Sequence, residues 1–143
     1  MGEFHVAVGE HVSFTKTVSE SDVYMFAGIT GDLSPNHVDA SYMAKSSYGK
    51  RIVHGALLVG FMSTTSTMAI ADSRDTADET PVSLGYDRIR FLAPVFLGET
   101  ITVDYTINGI DTKTRRSTAD IKVTNQDGVL AAVGTHILKW VPN

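Results

Sequence analysis

The sequence predicts an α+β domain in which one long helix is wrapped by an antiparallel sheet. Three observations carry this. Ile52 to Ala71 is the longest apolar segment in the chain. The second half then reads as consecutive strands, with Ile101, Val103, Tyr105 and Ile107 alternating against Thr102, Asp104, Thr106 and Asn108. Ahead of the apolar segment stand one alternating strand and one capped helix.

Taken in order, residues 1 to 11 carry no clear pattern, and His5 and His11 read as solvent-facing. Val12 to Val18 alternates and is rich in β-formers, so a first strand is expected near residues 10–17. Ser19-Glu20-Ser21-Asp22 is a helix start, with Ser19 as cap and Asp22 three residues on completing a capping box. That helix should bury Val23, Phe26 and Ala27 and stop near Gly28, with Gly31 beyond it.

Gly31 to Gly55 (GDLSPNHVDASYMAKSSYGKRIVHG) is the stretch around which the chain is organised. It places an acid, Asp32, five residues before a base, His37. Pro35 between them disfavours helical geometry at Ser34, so the pair sits on a stiff loop rather than on one regular helix. Such a pair, aimed at the start of a buried helix, can move protons and stabilise a developing anion. The bland reading makes Asp32 a turn residue and His37 an ordinary surface histidine. A metal reading would use Asp32, His37, Asp39 and His54 as a nitrogen and oxygen set; no helix-spaced ligand pair supports it. Ala40 to Ser47 should form a short helix capped by Asp39. Lys50 and Arg51 follow, either a solvated rim or an attraction for phosphate.

The apolar run should form a helix near residues 53–71, buried nearly all round. Its length would also suit a membrane span, but His54 and Ser63-Thr64-Thr65-Ser66-Thr67 make it a poor one. Ala71 to Pro81 is acid-rich and reads as a mobile solvated loop. Val82 to Phe91 changes parity, which predicts a β-bulge near Asp87-Arg88, and Ala93-Pro94 breaks the strand. Ala119, Ile121 and Val123 mark another half-buried strand, and Asn125 to Gly128 turns into the last one. That strand, Val129 to Val141, is apolar on both phases, so both sides should be covered, one plausibly by a second subunit. His136 reads as a packed histidine.

Composition bounds the function classes. The chain has 143 residues, 43% hydrophobic and 20% charged, which suits one globular domain over residues 1–143. A net charge of −4 without any basic run argues against nucleic acid. The absence of cysteine excludes disulfides, thiolate chemistry and cysteine-type zinc sites. The N-terminal stretch lacks a basic and apolar leader pattern, so a cytoplasmic location is expected.

The motifs Gly31-Asp32-x-Ser34-Pro35-x-His37-x-Asp39 and Ile52-Val53-His54-Gly55, followed by Arg90-Phe91-x-x-Pro94-Val95-x-x-Gly98-Glu99-Thr100, resemble the MaoC-like, (R)-specific enoyl-CoA hydratase family. The resemblance runs from about Phe14 to Trp140. It implies a hot-dog fold, pairing into a homodimer or higher homo-oligomer, and reversible addition of water to a trans-2-enoyl thioester of coenzyme A or a carrier protein, with no cofactor or metal. By the same resemblance, Asp32 would orient and deprotonate the water, His37 would hold it and pass a proton, and Gly55 would donate its N–H to the enolate. His54, Gly60, Ser63 and Asn36 would contact substrate. Two positions depart from the family pattern. Gly60 stands where a serine is common, with Ser63 one turn on as a substitute hydroxyl. Asn36 stands in a slot that is commonly aliphatic. A hot-dog thioesterase and a non-catalytic acyl-thioester-binding protein are the alternatives, separated by assay of thiol release against loss of the enoyl group.

Overall fold

A computed structural model describes residues 4–143. Its elements run β1 (His11–Thr17), α1 (Glu20–Thr30), α2 (Pro35–Val38), α3 (Ala40–Ala44), α4 (Gly55–Ala69), α5 (Ala71–Arg74), β2 (Glu79–Phe91), β3 (Thr100–Asp111), β4 (Arg116–Asn125) and β5 (Leu130–Pro142). The five strands form one antiparallel sheet in the order β1-β3-β4-β5-β2, against which α4 packs. This is the hot-dog arrangement that the family resemblance implied.

Period-two patterning builds the sheet's inner face. Ile101, Val103, Tyr105 and Ile107 of β3 pair beside Val123, Ile121 and Ala119 of β4, and all are buried. Each large aliphatic side chain removed from water here contributes about 1.5–3 kcal/mol. Leu58, Phe61 and Met62 of α4 lie in the same cluster as these strand residues and Trp140 of β5. The parity change in β2 is real: its register against β5 shifts between Ser83 and Gly85 and again between Asp87 and Arg90, with Arg88 at φ 54°. β2 ends at Phe91, ahead of Pro94, as the strand break predicted.

α1 begins on the expected capping box, Ser19 and Asp22 each accepting the other's backbone N–H. Burial opposes the charge on Asp22, but the Ser19 N–H and the Lys16 ammonium, 3.1 Å away, together hold its carboxyl below the ordinary range. The helix runs past Gly28 to Thr30, because the left-handed cap that closes it is Gly31 at φ 81°. Val23 and Ala27 are buried, while Phe26 is only half-buried, against the His54 ring.

Several expectations need correction. α4 spans Gly55–Ala69 and is covered on one side only: Leu58, Phe61, Met62 and Thr65 are buried, whereas Ala56, Gly60, Ser63, Thr67 and Met68 face outward within the chain. A uniformly apolar or small sequence does not reveal which side lies open. β5 is a separate case: within this one chain one phase is buried, and Val133, Ile137 and Val141 on the other are half-covered. His5 is not solvent-facing. It bonds Glu79 at 2.7 Å and lies 4.3 Å from the Trp140 ring, while His11 is exposed beside Asp104. The acid-rich segment is no simple loop either. It contains α5 and the start of β2, where Glu79 meets the Arg115 guanidinium. Arg115 first, then His5, hold the Glu79 carboxyl down to about 2.

His136 is packed, as the sequence suggested. Its ring bonds Tyr105 Oη and Ser83 Oγ, both at 2.8 Å, in the core behind β5. Burial pushes its imidazole down to about 4. An unfolded chain would take up that proton near 6.5, so between these values the unfolded state binds more protons and folding weakens as pH falls. The full effect is on the order of 3 kcal/mol. Melting temperature measured from pH 7 to pH 4 should therefore decline, and His136→Gln should melt lower at pH 7 yet lose less over that range. An equally steep decline in the variant would assign the acid sensitivity elsewhere.

Candidate active site

Three local features bring the organising stretch to one place. Gly31 ends α1 and turns the chain outward. Asp32 forms a tight turn, its Oδ1 accepting the Ser34 N–H at 3.4 Å. Pro35 then starts α2, a single turn in which its missing N–H costs nothing and its fixed φ is already helical. His37 lies on that turn. The chain returns through α3, whose N-cap Asp39 accepts the Tyr42 N–H, and reaches Ile52 to His54 before α4. Val53 N–H donates to Val95 O at 2.7 Å, fixing this segment to the Pro94–Phe96 turn.

Loop and helix start are then tied by two histidines in reciprocal fashion. His37 Nδ1 lies 2.8 Å from the Ile52 carbonyl, and His54 Nε2 lies 3.0 Å from the Asp32 carbonyl. The two rings stack, with centroids 3.7 Å apart. Ile52 N–H adds a backbone bond to Asn36 O at 3.0 Å. A carbonyl only accepts, so each contacting ring nitrogen carries the proton. The neutral His37 ring therefore keeps a bare lone pair on Nε2. The neutral His54 ring keeps one on Nδ1, which is buried and has no partner among the described residues.

Asp32, His37 and His54 each bring a ligand-type atom within 4.8 Å of the others. Asp39 is not in that group, since it caps α3. Two nearly parallel stacked rings aim their in-plane lone pairs alongside each other rather than at a common point, so this set suits a shared cation poorly without ring rotation. It suits a small donor better. Asp32 and a neutral His37 Nε2 are both acceptors, so they cannot bond each other directly, but a single water can donate one hydrogen to each.

Beside this pair is a cleft of about 260 Å³, walled by His37, Tyr48, Ile52, Gly55, Phe91 and Val95 among others. The volume suits a short acyl group rather than a whole coenzyme. At its edge α4 begins, and among the described residues no acceptor meets the N–H groups of Gly55 and Ala56. These free donors at the positive end of a helix favour an anion.

Of the residues singled out from sequence, His37 and Gly55 line the cleft, Asp32 is exposed and outside the cleft wall but within 4.8 Å of His37, and His54 is buried behind His37, 1% exposed. Gly60 and Ser63 lie farther along the open side of α4, outside the cleft wall, where Ser63 meets the Tyr86 phenol. Asn36 is exposed and contributes its carbonyl. Arg51 is committed to Glu20 and Tyr24, and Lys50 stands 4.5 Å over the Phe96 ring. Sequence reading gave no site role to Tyr48, Phe91, Leu92 or Val95. The Arg90–Thr100 motif had marked Phe91 and Val95, but nothing local says that this segment closes over the start of α4.

Comparison with known proteins places the family and the fold. The MaoC like domain family matches residues 3–131. The chain is 36% identical over 103 residues to an (R)-specific enoyl-CoA hydratase of Rhodospirillum rubrum, covering 71% of this chain and 66% of that one, just under two thirds of its length. An (R)-specific enoyl-CoA hydratase of Aeromonas caviae is 25% identical over 132 residues, covering 92% and 93%. The solved (R)-hydratase from A. caviae superposes with a TM-score of 0.84 at 25% identity, covering 96% of this chain and 98% of that one.

The tautomers are directly measurable. Heteronuclear NMR of labelled protein, at a pH where both rings are neutral, should show His37 protonated on Nδ1 and His54 on Nε2. The opposite form of His37 would leave no base facing the cleft.

Proposed function

The chain belongs to the MaoC-like domain family, and on that premise we propose that it is a hydro-lyase adding water reversibly to a trans-2-enoyl thioester, with (R)-3-hydroxyacyl thioester as product. The carrying observation is the closeness of the Asp32 carboxylate to His37, whose Nδ1 is tied to the Ile52 carbonyl, with His37 and the free N–H of Gly55 on one cleft.

The steps follow from those positions. A water donating to both acceptors keeps its oxygen lone pair free for C3. As the C3–O bond forms, Asp32 takes one water proton and the C2=C3 pair moves toward the thioester oxygen. Gly55 N–H meets that enolate oxygen, aided by the dipole of α4. The enolate then takes a proton at C2, returned through the Asp32–His37 pair, so hydroxyl and hydrogen are both accounted for. The reverse order dehydrates a 3-hydroxyacyl thioester. His54 acts from behind, holding the Asp32 carbonyl and the His37 ring.

Gly60, Ser63 and Asn36 belong to the acyl-contacting surface in this reading, as the open side of α4 and the outer rim. The substrate is a thioester of coenzyme A or of a carrier protein. The enzyme works as a homodimer or higher homo-oligomer, which would cover the open side of α4 and the half-covered phase of β5. Among the described residues, no helix is long and apolar enough to cross a membrane, and a cytoplasmic location is proposed.

Purified protein should remove the enoyl absorbance of crotonyl-CoA and yield (R)-3-hydroxybutyryl-CoA without releasing free thiol. Asp32→Asn and His37→Asn should each lower kcat by at least ~100-fold, the lower range for lost acid–base catalysis. Substituting the exposed Asp32 should change the melting temperature little, whereas His37→Asn also loses the bond to Ile52 and should lower it more. Thiol release without hydration would make the protein a thioesterase instead.

A further inference from the structure

The ring of Phe91 stands on the start of α4. A side-chain carbon placed on Gly55 would lie 2.6 Å from two atoms of that ring and 2.8 Å from a third, far inside van der Waals contact. A side chain at position 55 would thus force the Phe91 ring to move. Yet Phe91 is 55% exposed, with its ring forming one wall of the cleft.

Its backbone and side chain are held very differently. Phe91 pairs with Ala132 of β5, just after the second register shift in β2. The next two residues, Leu92 and Ala93, both donate to Ala131 O. The main chain is therefore pinned, while the ring meets solvent on one side and Gly55 on the other.

We propose that Phe91 is a specificity-determining residue, a steric filter that rejects acyl groups branched at C2. The inference rests on the thioester reading of the site. A thioester oxygen accepting from Gly55 N–H would sit about 2.9 Å from that nitrogen. C2 and the sulfur are each two bonds from that oxygen, and the proposal puts C2 on the Gly55 α-carbon side, against the Phe91 ring, with the sulfur turned away from it. An unbranched chain has only hydrogens to present there. A methyl branch at C2 needs the volume that the ring fills, and because the backbone is pinned, only rotation of the ring could release it.

Binding of unreactive thioesters tests this without depending on turnover. Butyryl-CoA and isobutyryl-CoA have the same number of atoms and differ in branching at C2. Calorimetric titration of the wild-type protein should favour butyryl-CoA by roughly tenfold or more, the usual penalty for one misplaced carbon in a fitted pocket. Phe91→Ala should bring the two affinities to within about threefold of each other, chiefly by strengthening isobutyryl-CoA binding, and Phe91→Leu should fall between. Because the ring is more than half exposed, both variants should fold, which circular dichroism checks. A preference unchanged in both folded variants overturns the filter, as does a wild-type protein that binds both thioesters equally or binds neither. Crotonyl-CoA hydration is assayed alongside. If the wild type binds thioesters but does not hydrate, the hydratase reading fails while the binding ratios still decide the filter.

Discussion

The site depends on the crossed pair of histidine bonds between the Asp32–His37 loop and the start of α4. Each ring comes from one segment and donates to a backbone carbonyl of the other: His37 to Ile52, His54 to Asp32. Neither bond lies within one element, so the geometry exists only once loop and helix have docked. The same two bonds fix where the protons are. They leave His37 Nε2 bare toward the cleft, which a freely rotating surface histidine would not guarantee. Position and chemical state of the base are thus set by one arrangement. The His54 Nδ1 left buried without a partner is the cost of that arrangement.

Everything else holds those two segments in place. The sheet supplies the floor, and α4 lies on it against β1 and β3 with its N-terminus at the cleft. The Val53–Val95 bond and the Ile52–Phe96 bridge bring the turn after β2 to the same point. Donor and acceptors therefore come from two segments, the Asp32–His37 loop and the start of α4, and the segment after β2 closes the cleft beside them. Gly55 offers an N–H where charge would develop, and Asp32 and His37 offer lone pairs where a water would give up a proton. The site is polar in opposite senses at its two ends, as an addition across a polarised double bond requires.

Much of this was legible in the sequence, and the reasons are local ones. β3 and β4 announce themselves by strict alternation, α1 by its capping box, and the β2 irregularity by its parity change. Asp32, His37 and His54-Gly55 stood out because acid, base and helix start were separated by proline and glycine at telling places. What stayed hidden depends on contacts between distant segments. Phe91 belongs to a strand end, and no pattern near it says that Gly55 lies beneath. His5 and Glu79 looked like unstructured polar residues until Arg115 and Trp140 were placed beside them. α4 is small or apolar on every side, so its sequence could not say that Gly60 and Ser63 face outward.

The central claim is that Asp32 and His37 act on one water as a unit. The most direct measurement is a double-mutant cycle in kcat for crotonyl-CoA hydration, with Asp32→Asn and His37→Asn made singly and together. If one water is held by both, the first substitution already abolishes its activation, and the double variant should be little slower than the slower single variant. Losses that multiply would mean that the two residues act independently and would contradict the account.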